Sequence, residues 1–273
     1  MSKVKQSLKT FTADINQALQ SNLLSFSEAE ELSSALGVIQ ARLNRHRNSS
    51  ASINKLPAEI LARIFEFVIA PEPLHDLCDW PPSSPPREAT WNRRLVFVCT
   101  RWCTIATRWQ RMWYYIVDND VDDFKNYSPR AVLRRSGSAV PLHLYMSSTP
   151  QPTTKSVSRW VIKNQPLRVE ALFIQLLGQT RIEEMLESLA TPLPSLRLLS
   201  VDASWDCGEV VGPDMPIILG GEALSLKALV WSLSIPFIPG NAFPNLVDMN
   251  LNQMDGNVLN LDSLLRLLRT ALV

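Results

Sequence analysis

Apolar positions along this chain keep a helical period through the first third and then give way to shorter, tighter runs. Leu8, Phe11, Ile15 and Leu19 recur at helical spacing within residues 3–24, and Leu32, Leu36, Ile39 and Leu43 follow at intervals of four, three and four. Two amphipathic helices are predicted, the second announced by Ser27-Glu28-Ala29-Glu30 as a capping box. Two heptads fall short of the three or four that mark a coiled coil. An antiparallel hairpin and self-association are therefore equally compatible with residues 1–48. The run Asn48-Ser49-Ser50-Ala51-Ser52 reads as a flexible linker.

The next segment reads as a docking module. Pro57 suits a first helical position, where its missing N–H is harmless. Ile60, Leu61, Ile64, Phe65 and Val68 then fall on one apolar helical face. Leu56 stands where a capping residue is expected and cannot accept a hydrogen bond from the free amides, so its side chain reads as a contact. Further on, Leu95, Val98, Trp102, Ile105 and Trp109 recur at intervals of three and four, predicting a second helix with a wide aromatic stripe. For any one of these residues the plainer reading is the interior of a small helical hairpin. Between the halves, Trp80-Pro81-Pro82-Ser83-Ser84-Pro85-Pro86 cannot hold a helix and favours extended polyproline geometry, which reads as a solvent-exposed loop.

Leu56-Pro57-x-Glu59-Ile60-Leu61-x-x-Ile64-Phe65, followed by Val98-Cys99-x-Arg101-Trp102 and then Met112-Trp113, resembles the F-box, the segment that binds Skp-family adaptors in cullin ubiquitin ligases. The resemblance covers residues 54 to about 117. It departs from the short F-box by an insertion at about 71–92, of the kind seen in the fungal F-box-like family. Leu133-Arg134-Arg135-Ser136-Gly137-Ser138-Ala139 also resembles a linker of that group.

Beyond Pro141 a loose repeat of the form apolar-x-x-apolar-x-apolar appears at Val169-x-x-Leu172-x-Ile174, Leu196-x-x-Leu199-x-Val201, Leu226-x-x-Leu229-x-Trp231 and Leu246-x-x-Met249-x-Leu251. Its offsets of about 27, 30 and 20 residues lie in or near the leucine-rich-repeat range. Prolines precede several copies, where a missing N–H does no harm before a strand, and residues 181–189 read as a helix that packs behind such strands. One strand plus one helix or loop per repeat, stacked as a partial solenoid, is expected; an irregular α/β domain is the alternative. The chain closes on Leu261, Leu264, Leu265, Leu268 and Leu272, one apolar helix face without a polar cap, which reads as an array stopped short of its natural end.

The expected organisation is thus mixed: an N-terminal helical hairpin or short coiled coil over 1–48, an all-helical F-box module over 52–120, and an irregular leucine-rich-repeat-like solenoid over 128–273, an α+β or α/β repeat arrangement.

Composition narrows the function classes. With 46% hydrophobic and 19% charged residues there is ample material for a core. Net charge is +1, so nucleic-acid binding would need a local basic face. The cluster Arg42, Arg45, His46 and Arg47 closes a predicted helix, where the dipole already favours cations. No run approaches the length of a membrane span, the longest candidate being residues 228–239. The first residues lack a secretory hydrophobic segment, and Cys78, Cys99, Cys103 and Cys207 form no CxxC pair. A cytoplasmic or nuclear protein in a reducing compartment is expected.

Catalytic readings fare badly. His46, His75 and His143 are scattered, no HExxH or GxSxG occurs, and the chain has only nine glycines, none in a phosphate loop. The run from Asp118 to Asp123 opens like a calcium loop but has Asp123 where Gly is needed and Pro129 where the bidentate Glu belongs. No catalytic residue, cofactor or metal is expected.

What the F-box resemblance implies is an adaptor: a Skp-family protein, and through it a cullin, docks on the segment at Leu56, while the repeats hold an unknown protein substrate. The docking or docking-support positions carried over are Leu56, Pro57, Ile60, Ile64, Val98, Cys99 and Trp102. The competing readings are a leucine-rich scaffold that recruits no ligase, and an enzyme with a polar pocket of converging titratable groups. Trp205, Trp231 and Phe237 are candidate substrate contacts on the repeats.

Overall fold

The computed structural model describes residues 3–21, 23–69, 94–118, 128–148, 156–176, 182–203, 217–221, 223–232 and 239–252, with isolated helical positions at 265, 268 and 269. The proline-rich insertion, Cys78, Cys207, Trp205, Phe237, residues 119–123 of the acidic run and most of the final apolar helix lie outside them. The chain divides into two compact units, Met1–Pro57 and Ala58–Val273.

The N-terminal unit holds α1 (Lys3–Gln20), α2 (Phe26–Ser50) and a 3₁₀ turn, Ser52–Lys55. The capping box falls two residues earlier than the sequence suggested. Ser25 is the N-cap: its Oγ accepts from Glu28 N at 3.3 Å, while Glu28 Oε2 accepts from Ser25 N at 2.9 Å. Ser25 has the extended backbone a cap requires, whereas Ser27 is already helical. Nor is the serine run a loose linker. Helix α2 continues to Ser50, and Asn54 Nδ2 donates to Asn48 O at 2.7 Å, fastening the 3₁₀ turn to its end.

The second unit opens with α3 (Ala58–Ile69), a helical stretch at 94–98 and α4 (Thr100–Arg108), and the chain reaches the sheet through a 3₁₀ turn, Gln110–Met112. The predicted single second helix is broken. Cys99 takes extended angles, φ −163° and ψ 167°, and becomes the N-cap of α4. Cys99 and Cys103 are both half-buried and lie one turn apart, Cys103 N donating to Cys99 O at 2.9 Å.

Among the described residues six strands follow, all parallel and side by side in chain order: β1 (Tyr115–Asp118), β2 (Leu142–Ser148), β3 (Val169–Leu176), β4 (Leu198–Ala203), β5 (Ala228–Ser232) and β6 (Asp248–Asn252). The intervening helices are α5 (Pro129–Arg135), α6 (Val157–Asn164) and α7 (Ile182–Leu189). The 52–120 segment is therefore not all helical, because its last residues form the first strand, with Ile116 beside Leu144. Strand β5 occupies residues 228–232 of the longest apolar run, and among the described residues no helix is long and apolar enough to cross a membrane.

The sequence repeat maps onto strand register. Leu172, Leu199, Leu229 and Met249 are successive partners, as are Ile174, Val201, Trp231 and Leu251. Strands β1 and β2 extend the first row with Ile116 and Leu144, and Met146 extends the second. Side chains alternate faces along a strand, so these rows line one face, and Ile116, Leu144, Leu172, Leu199 and Trp231 are sealed within it. The other face is also covered, by a cluster of Tyr115, Tyr145, Ala171, Phe173, Leu198 and Ala228. Burial on both faces is what parallel strands require.

A recurring turn starts each late strand. Leu196 N, Leu226 N and Leu246 N donate to Leu193 O, Ala223 O and Phe243 O at 3.0, 3.2 and 3.2 Å. Arg197 N, Lys227 N and Val247 N then each bond the preceding unit at 2.8 Å. Asn241 locks one connection, with Oδ1 accepting from Ile218 N at 2.8 Å and Nδ2 donating to Ile218 O at 2.6 Å.

Candidate docking surface

Helix α3 has two apolar arcs. At about 100° per residue, Leu61, Ala62, Phe65 and Ile69 fall on one side, and all four are buried. Ile60, Ile64, Phe67 and Val68 fall on the adjoining side. Of these Ile60 is 48% exposed, Phe67 85% and Val68 41%, with Ile64 half-buried.

Three side chains from the following segment grip the inner arc. The Phe65 and Trp102 rings lie 4.7 Å apart at 52°, Trp109 Nε1 donates to Glu66 Oε1 at 2.6 Å, and the Tyr114 hydroxyl donates to Ile69 O at the helix end. Below them Trp113, fully buried, donates to Ala106 O at 2.8 Å and carries the Arg135 guanidinium 4.5 Å above its ring. That arginine ends α5 and leads into Ser136-Gly137-Ser138. Ser136 is buried and accepts from Arg168 Nη2 at 2.9 Å, while Arg168 Nε donates to Val140 O at 3.0 Å. Among the described residues, aromatic pairing and hydrogen bonds fix α3 from the side of its inner arc.

The carried-over positions separate accordingly. Ile60 and Ile64 lie on the outer arc. Trp102 is half-buried and supports α3 through Phe65; Val98 is 49% exposed, and Cys99 caps α4. Leu56 and Pro57 end the N-terminal unit, with Pro57 exposed and Leu56 half-buried. Helix α3 begins at Ala58, one residue later than expected. Leu56 is consequently the C-cap of the 3₁₀ turn, its N donating to Ile53 O at 3.3 Å. Sequence reasoning missed Phe67 and Phe97, both largely exposed. A phenylalanine off the predicted stripe of a short helix was the available signal.

Two polar features sit elsewhere in the unit. A cavity of about 630 Å³ is lined by Arg108, Arg111, Tyr114, Pro141, His143 and Glu170, among others. There the His143 imidazole, 3.8 Å from Glu170, and Arg197, 3.0 Å away, hold the Glu170 carboxyl down at about 2, against the opposing effect of burial. On the sheet, burial pushes the Tyr145 hydroxyl up to about 12, helped by Asp202, whose own carboxyl burial also raises. Among the described residues no three His, Cys, Asp or Glu side chains gather to hold a metal. Trp231, a candidate substrate contact, is fully buried.

Comparison with protein-family models, with curated proteins and with solved structures returns no match for this chain.

Proposed function

We propose that this chain is the substrate-recognition adaptor of a Skp–cullin–F-box ubiquitin ligase. A Skp-family adaptor docks on the outer arc of α3, and the parallel repeats, stacked as a leucine-rich-repeat-like solenoid, present a protein substrate. The observation that carries this reading is the outer arc itself. A 12-residue helix fixed on one side keeps Ile60, Phe67 and Val68 in water on the other, and an uncovered apolar helix face is what a helix-in-groove partner takes up. Its residues also lie inside the stretch that resembles the F-box.

The adaptor's contribution is geometric. Holding the substrate near a ubiquitin-charged enzyme carried elsewhere in the assembly raises the effective concentration of substrate lysines, and no group on this chain makes or breaks a bond. Protein interfaces concentrate their energy in a few central residues. Ile60→Glu with Val68→Glu should therefore cost about 2 kcal/mol or more of adaptor affinity, read by calorimetry with a purified Skp-family protein. Leu56→Ala with Pro57→Ala is expected to cost a similar amount. A wild-type chain that binds no such adaptor sinks the proposal and leaves a scaffold that recruits no ligase.

A further inference from the structure

Helix α2 carries Leu32, Leu36, Ile39 and Leu43 on one stripe, yet no residue of it is buried. Ile39 is 52% and Leu43 55% exposed. Charge is segregated along the same helix: Glu28, Glu30 and Glu31 stand in its first turns, Arg42, Arg45 and Arg47 in its last. Midway lies Gly37, with no atom within 4 Å of the place a Cβ would occupy.

We propose that α2 pairs antiparallel with α2 of a second copy of this chain, across a two-fold axis passing between Gly37 and Val38. In that register Leu36 meets Ile39 of the other copy, Leu32 meets Leu43, and Ala29 meets His46. The acidic end of each helix overlies the basic end of its mate, and the two helix dipoles oppose one another. A parallel pair would set glutamates against glutamates and arginines against arginines. At about 100° per residue Gly37 falls about 120° around the helix from the centre of the stripe, outside the seam, so the contact is carried by Leu32, Leu36, Ile39 and Leu43. Two heptads alone make a weak two-stranded coil. Helix α1, also without a buried residue and with Leu8 and Leu19 exposed, supplies the second layer of a four-helix arrangement. This inference is independent of what binds α3.

Light scattering on the full chain after gel filtration should return twice the 30.7 kDa chain mass. Leu36→Glu with Ile39→Glu sets carboxylate against carboxylate across the axis and should raise the dissociation constant at least about tenfold. Neither side chain is buried in the single chain, so circular dichroism should still report folded protein. A monomeric wild type, or a double variant that stays dimeric, overturns the proposal. Orientation is read by mixing Ala29→Cys and His46→Cys chains under oxidation and mapping the linked peptides. The two variants should join each other, and neither should join itself, because equivalent residues would lie about 25 Å apart at 1.5 Å rise per residue. Self-linking of either variant rules out the antiparallel register.

Discussion

Two residues show how side-chain chemistry holds the repeats in register. Asn241 is buried and satisfies both the N–H and the C=O of Ile218. Its truncation strands two buried backbone groups, each costing about 1–3 kcal/mol to leave unpaired. Asn241→Ala should lower unfolding stability by about 2 kcal/mol or more, measured by urea titration, and an unchanged midpoint would show that the two backbone groups find other partners. Glu170 binds the start of β3 to the neighbouring strands through His143 and Arg197. Its folded pKa, about 2, lies below the ordinary 4.5, so its stabilisation is complete above 4.5 and fades as pH falls toward 2. Glu170→Gln should therefore flatten the acid limb of the stability profile between those values and leave its shape near neutrality unaltered.

At the scale of elements, α3 tests whether inner and outer apolar arcs do different work. Phe65→Ala removes a fully buried ring packed on Trp102 and should destabilise by about 3–5 kcal/mol. Ile60→Glu exchanges an exposed side chain and should fall within about 0.5 kcal/mol of wild type. Thermal melts of the two variants, compared side by side, would falsify the division if they lost stability equally. The break at Cys99 belongs to this scale too. Leu95, Val98, Trp102, Ile105 and Trp109 keep a helical period across it, so hydrophobic spacing alone gives no sign that the backbone extends for one residue. With the break, Leu95 and Val96 point inward while Phe97 and Val98 stay in solvent.

Across the whole second unit, the sheet grows by nearest-neighbour pairing in chain order. Its centre is sealed: Leu172, Leu176, Leu199 and Val201 have no exposed area, whereas Met249 and Leu251 on β6 are only half-buried. Opening free energy should follow that gradient. Amide exchange is expected to be slowest in β3 and β4 and fastest in β6, and uniform protection across the six strands would contradict it. The same gradient accounts for the fully buried Trp231: it continues a core row from Ile174 and Val201 and has no surface to offer a substrate.

What the amino-acid sequence determined by itself was periodic. The apolar-x-x-apolar-x-apolar runs placed β3 to β6, because a two-residue alternation must put its apolar set on one face of a sheet. The three-and-four spacing placed α1, α2 and α3, because those intervals return to the same side of a helix. The repeat pattern passed over β1 and β2, where Ile116 and Leu144 join the same core row but the motif is incomplete: Asp118 stands at its last apolar position in β1 and Pro141 at its first in β2. Tertiary structure decided what periodicity leaves open. It divided α3 into a side gripped by Trp102, Trp109 and Tyr114 and a side left to solvent, and it turned Tyr115–Asp118 from the tail of a helical segment into an edge strand. Both depend on partners distant in sequence, and a local pattern records that a residue is apolar without recording which neighbour arrives to cover it.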